Sequence, residues 1–416
     1  MYGYGKNTSP VIDGFAQEAV LFERHQAQSP LTLPSHTSIF TGRDPDRHGV
    51  RSNGTYRLTG AADTMAEVLA SQGFTTGAFV SANVLNPIFG LDQGFATYAG
   101  DFTGRATNVS TPAAATTDRA LAWLDRRRSD ERLFLFVHYY DPHKPYRAPP
   151  RFAFAHPYDA EVAYVDEQLG RLFERLRRDD RFNDALVVIT SDHGQSLGEH
   201  GVNGHTLVMY QQTLHVPLLL RLPGGAHSGR RVSGITRSTD LLPTIFHALG
   251  VKQALHVDGV DLGPAMSGAA ALGERDAYAE TLFSEVRALH QRSLVRGRWK
   301  LISWYELGPE QRLEAALEQL GAPSADRPEL QARIPELIKR ARSFGADPRQ
   351  LYDLASDPGE KRNLYTDEPV VAAELEAALV GRESVAREAS TGERHTLSKE
   401  MINQLGALGY LITPNR

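Results

Sequence analysis

The sequence predicts an α/β fold in which a mostly parallel central sheet is flanked by helices on both faces. Three short apolar runs, at residues 133–138, 185–190 and 216–221, are rich in strand formers. Their length and continuity are typical of strands buried on both faces of a parallel sheet. Residues 118–127 and 160–176 carry apolar side chains at helical spacing. Strands that alternate with helices in this way indicate an open sheet covered on both sides.

The C-terminal part of the chain has a different pattern. Residues 293–296 and 299–304 predict the two strands of a hairpin that turns at Gly297, and residues 350–354 predict another short strand. Residues 309–342 are charged and predicted to be helical. Short hairpin strands next to helices favour an α+β arrangement over a continuation of the parallel sheet.

The change of pattern gives a domain division. Residues 265–275 are rich in Gly and Ala, as expected for a boundary. We therefore predict a catalytic domain over residues 1–270. Residues 271–416 are predicted to form a smaller C-terminal α+β subdomain with an antiparallel sheet and helices.

Composition excludes several functional classes. The chain has 416 residues, a formal net charge of −5 and no cysteine, so nothing favours nucleic-acid binding, disulfides or a cysteine nucleophile. No apolar run approaches the ~18 residues of a membrane-spanning helix. No signal peptide is visible at Met1. These features fit the cytoplasm and the periplasm equally, and they leave open a homo-oligomer.

The first segment with chemical potential is residues 31–43. By itself it predicts a loop that runs into a helix capped by Ser35. A helix start also suits a nucleophile, because the unpaired N–H groups and the helix dipole favour an anionic substrate.

Two further segments follow predicted strands. Asp192 and His193 come directly after the strand at residues 185–190, with His200 and His205 close behind, and His143 lies in a proline-rich loop after the strand at residues 133–138. The carboxyl edge of an open α/β sheet is where ligands bind. A carboxylate next to an imidazole suits a divalent metal such as Zn²⁺ or Mn²⁺. The structural alternative is a satisfied turn with packed histidines.

Five segments together resemble the sulfatase-like hydrolases of the alkaline-phosphatase type. The resemblance covers nearly the whole chain, and the segments occur in the family's order. They are the stretch from Thr32 to Arg43, the Asp141-Pro142-His143 loop, Asp192-His193, the late helix around residues 238–244, and the stretch from Leu351 to Leu364.

The resemblance implies a role for individual residues. Thr32 takes the nucleophile position, and Asp192 and His193 take metal-ligand positions together with Thr32. Asn53 lies where some members bind the substrate oxyanion. The catalytic assignments extend to His143, next to a nonbridging oxygen or the leaving group, and to His205, in a place often held by lysine. The implied cofactor is a divalent metal ion (Mn²⁺, Zn²⁺ or Ca²⁺), and the implied partner is a small-molecule ester.

Three features depart from the family pattern. Sulfatases carry a Cys or Ser nucleophile that is converted to formylglycine, with an Arg four residues later, whereas this chain has Thr32 and His36. The family's Gly-Lys-Trp-His stretch is replaced by residues 80–83, which leaves Ser81 and Asn83, with His36, as candidate substrate contacts. The family's first strand, which ends in metal-binding aspartates, is expected to be missing before Tyr2.

The departures favour phosphoryl chemistry. An unmodified threonine resembles the nucleophile of the superfamily's phosphatases and phosphodiesterases, so we predict hydrolysis of a phosphomonoester, phosphodiester or phosphonate monoester through a covalent Thr32 intermediate. Three alternatives stay open: a sulfuric ester hydrolase, a phosphoryl-group transferase to an alcohol, and an inactive family member that serves as a binding module.

Overall fold

A computed structural model gives the architecture of the chain. It describes residues 2–102, 110–205, 208–253, 255–282, 290–304, 347–386 and 392–394. The predicted helical segment at residues 309–342 lies outside the described residues.

The described helices alternate with strands through the first 250 residues, as the sequence predicts. Their bounds are α1 (Pro10–Gln17), α2 (Thr32–Thr41), α3 (Pro45–His48), α4 (Met65–Ser71), α5 (Ala113–Leu124), α6 (Pro157–Arg178), α7 (Gln211–Leu214), α8 (Leu241–Ala248), α9 (Gly263–Ser267) and α10 (Pro369–Ala386).

The strands divide between the two parts of the chain. Their bounds are β1 (Val20–Gln26), β2 (Tyr56–Leu58), β3 (Thr75–Val80), β4 (Thr97–Ala99), β5 (Leu133–His138), β6 (Val187–Thr190), β7 (Ser196–Leu197), β8 (Asn203–Gly204), β9 (Leu218–Arg221), β10 (Arg231–Arg237), β11 (Asp276–Thr281), β12 (Gln291–Arg296), β13 (Trp299–Trp304), β14 (Arg349–Asp353) and β15 (Gly392–Arg394).

Two sheets form the centre of the N-terminal part. One has the order β10-β1-β9-β6, with β1 and β10 parallel and β9 antiparallel to both β1 and β6. The other has the order β4-β3-β5 and is fully parallel. Edge strands β5 and β6 are half-buried along their whole length. The α/β class is therefore confirmed, with β9 as an antiparallel member of the first sheet.

Helices pack on these sheets through apolar side chains. Phe15 of α1 stacks on Phe173 of α6, with ring centroids 5.2 Å apart, in a cluster that also contains Leu21 and Leu219 of the first sheet. Trp123 of α5 packs with Phe79 and Leu135 of the second sheet. This burial of apolar surface is the main stabilising term for both layers. None of the described helices has the length and apolar content needed to cross a membrane.

The C-terminal part contains the predicted antiparallel sheet, in the order β11-β12-β13-β14. The β12–β13 hairpin turns at Gly297, whose φ of +54° is a left-handed conformation that glycine tolerates best. Helix α10 covers one face, with Leu375 and Leu379 packed on Leu301.

Charged contacts join the C-terminal part to the N-terminal part. Arg51 donates two hydrogen bonds of 2.6 Å to the fully buried Glu280 of β11. Arg382 of α10 donates to Asp44 at 2.7 Å and to Asp46 of α3. Asp44, Asp46 and Arg51 lie on the segment that follows α2, so these contacts attach the C-terminal subdomain to that segment.

Candidate active site

Thr32 is the first residue of α2, and its side chain is 4% exposed. Leu31 occupies the cap position with extended backbone, so the predicted cap at Ser35 is wrong. Ser35 lies inside the first turns of the helix, and its hydroxyl donates a 2.5 Å hydrogen bond to the carbonyl of Asp192. The helix start is thereby fixed to the segment that follows β6.

Thr32 faces His193. Thr32 Oγ1 lies 3.2 Å from His193 Nε2, and His193 Nδ1 lies 3.0 Å from the carbonyl oxygen of Gly194. A carbonyl oxygen only accepts, so Nδ1 carries the proton and Nε2 presents its lone pair to Thr32. This tautomer makes His193 suited to accept a proton or to bind a metal.

Asp192 lies at the centre of the predicted metal site. Its Oδ2 atom is 3.4 Å from His193 Nε2 and 3.5 Å from His36 Nδ1. Burial raises the pKa of the Asp192 carboxyl, but the neighbouring imidazoles, that of His193 first among them, outweigh burial and lower that pKa to about 2. The carboxylate is therefore ionised at neutral pH.

The spacing of these atoms fits a divalent ion. Ligands on a tetrahedral zinc with bonds of ~2.1 Å lie roughly 3.4 Å from one another. Thr32 Oγ1, His193 Nε2 and Asp192 Oδ2 are joined by distances of 3.2 and 3.4 Å. The donor set of one hydroxyl, one imidazole and one carboxylate therefore fits the metal that the resemblance implies.

His143 and His205 meet beside His193. Their Nε2 atoms are 2.9 Å apart, and the ring of His205 stacks on that of His193 with centroids separated by 4.0 Å. Each Nδ1 lies against a backbone carbonyl, that of Lys144 at 2.6 Å and that of Pro30 at 2.7 Å. Both Nδ1 atoms therefore donate, and a hydrogen bond between the Nε2 atoms needs one shared proton.

Glu161 holds the loop that carries His143, a role that the sequence analysis missed. This buried residue of α6 accepts a 2.9 Å hydrogen bond from the backbone N–H of His143 and another from that of Arg147. Burial raises the pKa of Glu161 to about 7. The sequence signal that could have identified Glu161 was an acidic residue on the buried face of the amphipathic helix α6.

His138 is a second residue that the sequence analysis missed. It is the last residue of β5, and its ring lies against that of His36 with centroids 5.0 Å apart. Three side chains, those of His36, His138 and Asp192, each offer one possible ligand atom, and these three atoms lie within 4.8 Å of one another. Burial lowers the pKa of His138 to about 3 and also lowers that of His36, so both imidazoles are neutral at neutral pH.

Asn53 and Ser81, two of the candidate substrate-binding residues, make hydrogen bonds beside Thr32 and His138. Asn53 accepts a 2.9 Å hydrogen bond from the backbone N–H of Leu33, which brings its buried carboxamide next to Thr32. The Ser81 hydroxyl donates to the carbonyl of His138 at 2.8 Å and is 2.8 Å from Thr116 Oγ1. Ser81 thus positions the end of β5.

Asn83 and His200 are the other two residues that the sequence places near the site. Asn83 begins a short 3-10 helix and is buried. Its substrate contact, like that of Ser81, stays a prediction. His200, which the sequence places near the metal motif, instead stacks on Tyr210 with ring centroids 3.7 Å apart and lies 3.1 Å from the carbonyl of Gly359.

Two family profiles match the chain. The profile described as Sulfatase matches residues 1–251. The profile described as N-sulphoglucosamine sulphohydrolase, C-terminal, matches residues 198–314. The two matched ranges overlap at residues 198–251, which follow the Asp192-His193 motif and include His205 and helix α8.

Individual proteins of the same kind are also similar to this chain in sequence. An N-acetylglucosamine-6-O-sulfatase of Bacteroides thetaiotaomicron is 34% identical over 109 residues, which are 26% of this chain and 19% of that protein. A multifunctional alkaline phosphatase superfamily protein of Trinickia caryophylli is 33% identical over 104 residues, 25% of this chain and 20% of that protein. These alignments span only about a fifth of each relative.

Similarity of fold extends much further. The crystal structure of a phosphonate monoester hydrolase of Agrobacterium radiobacter superposes with a TM-score of 0.71. The superposition covers 93% of each chain at 21% sequence identity. The two chains therefore share the same α/β fold over the superposed residues.

Proposed function

Because this chain belongs to the sulfatase family, we propose that it is a metal-dependent hydrolase of phosphate-type or sulfate esters with Thr32 as its nucleophile. The observation that carries the proposal is the position of Thr32 Oγ1, which begins helix α2 and lies 3.2 Å from His193 Nε2. A hydroxyl at a helix start, next to a carboxylate and an imidazole, is arranged for attack on an anionic ester.

The first step forms a covalent ester on Thr32. Thr32, Asp192 and His193 would hold a divalent ion, which when bound would supply Lewis acidity and lower the pKa of the Thr32 hydroxyl. Thr32 Oγ1 then bonds to phosphorus as the bond from phosphorus to the leaving oxygen breaks. The proton released by the Thr32 hydroxyl passes by way of the His143–His205 pair to that oxygen, so the leaving group departs as an alcohol.

The second step regenerates Thr32. Water attacks the phosphorus of the threonine ester, one proton of that water returns to the threonine oxygen as its bond to phosphorus breaks, and the phosphate or phosphonate product departs. The dipole of α2, which begins at Thr32, favours the developing negative charge in both steps. The Asn53 carboxamide, fixed by Leu33, is placed to bind a nonbridging oxygen.

An unmodified threonine favours phosphorus over sulfur as the electrophile. The resemblance implies that sulfatases act through formylglycine, which forms from Cys or Ser and not from Thr. Relatives named as sulfatases support sulfate esters as the second candidate. The phosphonate monoester hydrolase with the same fold supports phosphate-type esters.

The test is a panel of initial rates on the full chain. The protein is stripped of metal with a chelator and reloaded with Mn²⁺, Zn²⁺ or Ca²⁺. Its substrates are the nitrophenyl phosphate monoester, phosphodiester, phosphonate monoester and sulfate. We expect metal-dependent turnover with the highest kcat/KM on a phosphorus ester; preference for the sulfate selects the second candidate.

Two added measurements separate the remaining alternatives. Phosphorylated alcohol products in the presence of an acceptor alcohol identify a transferase. A chain that retains no stoichiometric divalent ion and turns over none of the four esters is a binding module, and that outcome overturns the proposal.

A further inference from the structure

We propose that His36 and His138, together with Asp192, bind a divalent ion of the zinc type beside Thr32. The proposal deepens the proposed function and rests on it in one respect, namely that a divalent ion binds at Asp192. It assigns a ligand role to two histidines that lie outside the predicted set of Thr32, Asp192 and His193.

The geometry of the three side chains carries the proposal. One ligand atom of each lies within 4.8 Å of the other two. The centre of a triangle of that size is about 2.8 Å from each corner, whereas zinc bonds to nitrogen and oxygen are ~2.0–2.2 Å long. Each side chain therefore needs to move by less than about 1 Å to close on an ion.

The fold holds the two imidazoles in place. His36 Nδ1 lies 2.8 Å from the carbonyl oxygen of Thr32, one helical turn earlier, which fixes the ring against α2. The carbonyl of His138 accepts the hydroxyl of Ser81, which fixes the end of β5. Metal-binding histidines are commonly oriented by a ring N–H donated to a backbone carbonyl, as in His36. The ring of His138 is positioned instead by the backbone N–H of Ser81, which lies 3.4 Å from its Nδ1.

Charge also favours a cation at this position. Within the described part of the chain, the ionic contacts of the Asp192 carboxylate are with His36 and His193. An imidazole is not a permanent cation, so these contacts do not by themselves neutralise the Asp192 carboxylate, which is only 15% exposed. A bound divalent ion supplies the missing positive charge.

The nature of the ligands selects the ion. Imidazole nitrogen suits zinc and other late first-row metals, whereas Ca²⁺ takes oxygen ligands. A set of two imidazoles and one carboxylate is therefore expected to bind Zn²⁺ far more tightly than Ca²⁺.

The experiment measures metal binding to the full chain by calorimetry, with activity left out. We compare wild type with His36→Gln, His138→Gln and Asp192→Asn. The matched control is His25→Gln, because His25 is also fully buried but contacts Thr236 instead of Asp192. We expect the Kd for Zn²⁺ to rise by at least tenfold in each histidine variant and to stay within threefold in the control.

Several outcomes overturn the proposal, and they are distinguishable. If the Kd for Zn²⁺ in His36→Gln and His138→Gln equals that of wild type, while Asp192→Asn no longer binds Zn²⁺, only the role of the two histidines is overturned. Tighter binding of Ca²⁺ than of Zn²⁺ by wild type also overturns that role. Absence of binding of any divalent ion to wild type overturns the metal premise of the proposed function as well.

A measurement on wild type guards against variants that do not fold. X-ray absorption of the zinc-loaded chain counts the imidazoles bound to the metal. Two or more imidazoles support the proposal, whereas one imidazole, as expected for a site made only of Thr32, Asp192 and His193, overturns it.

Discussion

The Nε2 atoms of His143 and His205 face each other at 2.9 Å, although the two residues come from different loops. Each ring donates its Nδ1 proton to a backbone carbonyl. Burial lowers the pKa of His143 to about 4 and that of His205 well below its usual value, so both Nε2 atoms present lone pairs at neutral pH. Such a pair can accept a proton and pass it on to a leaving oxygen.

This arrangement predicts that the effect of mutation depends on the leaving group. His143→Asn and His205→Asn are each expected to lower kcat by about 10²-fold for alkyl esters, whose alcohols need protonation as they leave. The loss for nitrophenyl esters should be much smaller, because nitrophenolate is stable without a proton. Parallel rates on both ester types check this; equal losses on both contradict a proton-donor role.

Thr32→Ala is expected to lower kcat by at least about 10³-fold, since the variant lacks the oxygen that attacks the ester. Thr32→Ser is the matched control, because it keeps the hydroxyl and loses only a methyl group. Intact-protein mass spectrometry after rapid acid quenching should show a covalent adduct in wild type and none in Thr32→Ala. Near-normal turnover by Thr32→Ala excludes Thr32 as nucleophile.

Glu161→Gln is expected to loosen the loop that carries His143. The carboxylate accepts the backbone N–H groups of His143 and Arg147, and an amide replaces one of its oxygens with an N–H₂ group that cannot accept. We expect kcat to fall by about tenfold on alkyl esters. The control is Glu167→Gln on the same helix, whose carboxylate pairs with Arg151 at the surface.

The same substitution is expected to change how stability depends on pH. Burial raises the pKa of Glu161 from 4.5 to about 7, so the folded state holds this proton more tightly than the unfolded chain. Its contribution to the free energy of unfolding is therefore complete below about pH 4.5 and is lost as pH rises through about 7. Denaturant unfolding across this window should be less pH-dependent in Glu161→Gln; an unchanged pH dependence contradicts the assignment.

Lys300 and Glu360 form a buried ion pair in the C-terminal subdomain. Lys300 Nζ lies 2.7 Å from Glu360 Oε1, and both side chains are fully buried. The contact is a charge pair without hydrogen-bond alignment. Burial lowers the pKa of Lys300, and the nearby Glu360 carboxylate opposes that shift.

Lys300→Met is expected to lower the free energy of unfolding by about 3–5 kcal/mol, because it leaves the Glu360 charge buried and unpaired. The double variant Lys300→Met with Glu360→Gln should recover at least half of that loss, since no lone charge remains. Arg128→Met, which breaks a pair exposed to solvent, is the control and should change stability by less than about 1 kcal/mol. Chemical denaturation of the four proteins measures these differences.

The sequence by itself determined where several helices and strands lie and which residues near their ends are candidates for catalysis or metal binding. Apolar runs identified β5, β6 and β9, and helical spacing identified α5 and α6, because local hydrophobic period follows directly from backbone geometry. The order of motifs identified Thr32, Asp192 and His193 as candidates for a common site, and the structure brings these three together.

Only the tertiary structure decided which side chains meet. The approach of His138 to Asp192 depends on how the ends of β5 and β6, which belong to two different sheets, are held relative to each other. The support of the His143 loop by Glu161 depends on the rotation of α6 about its axis. Distances between residues far apart in the chain follow from packing of whole layers, and local sequence patterns carry no information about those distances.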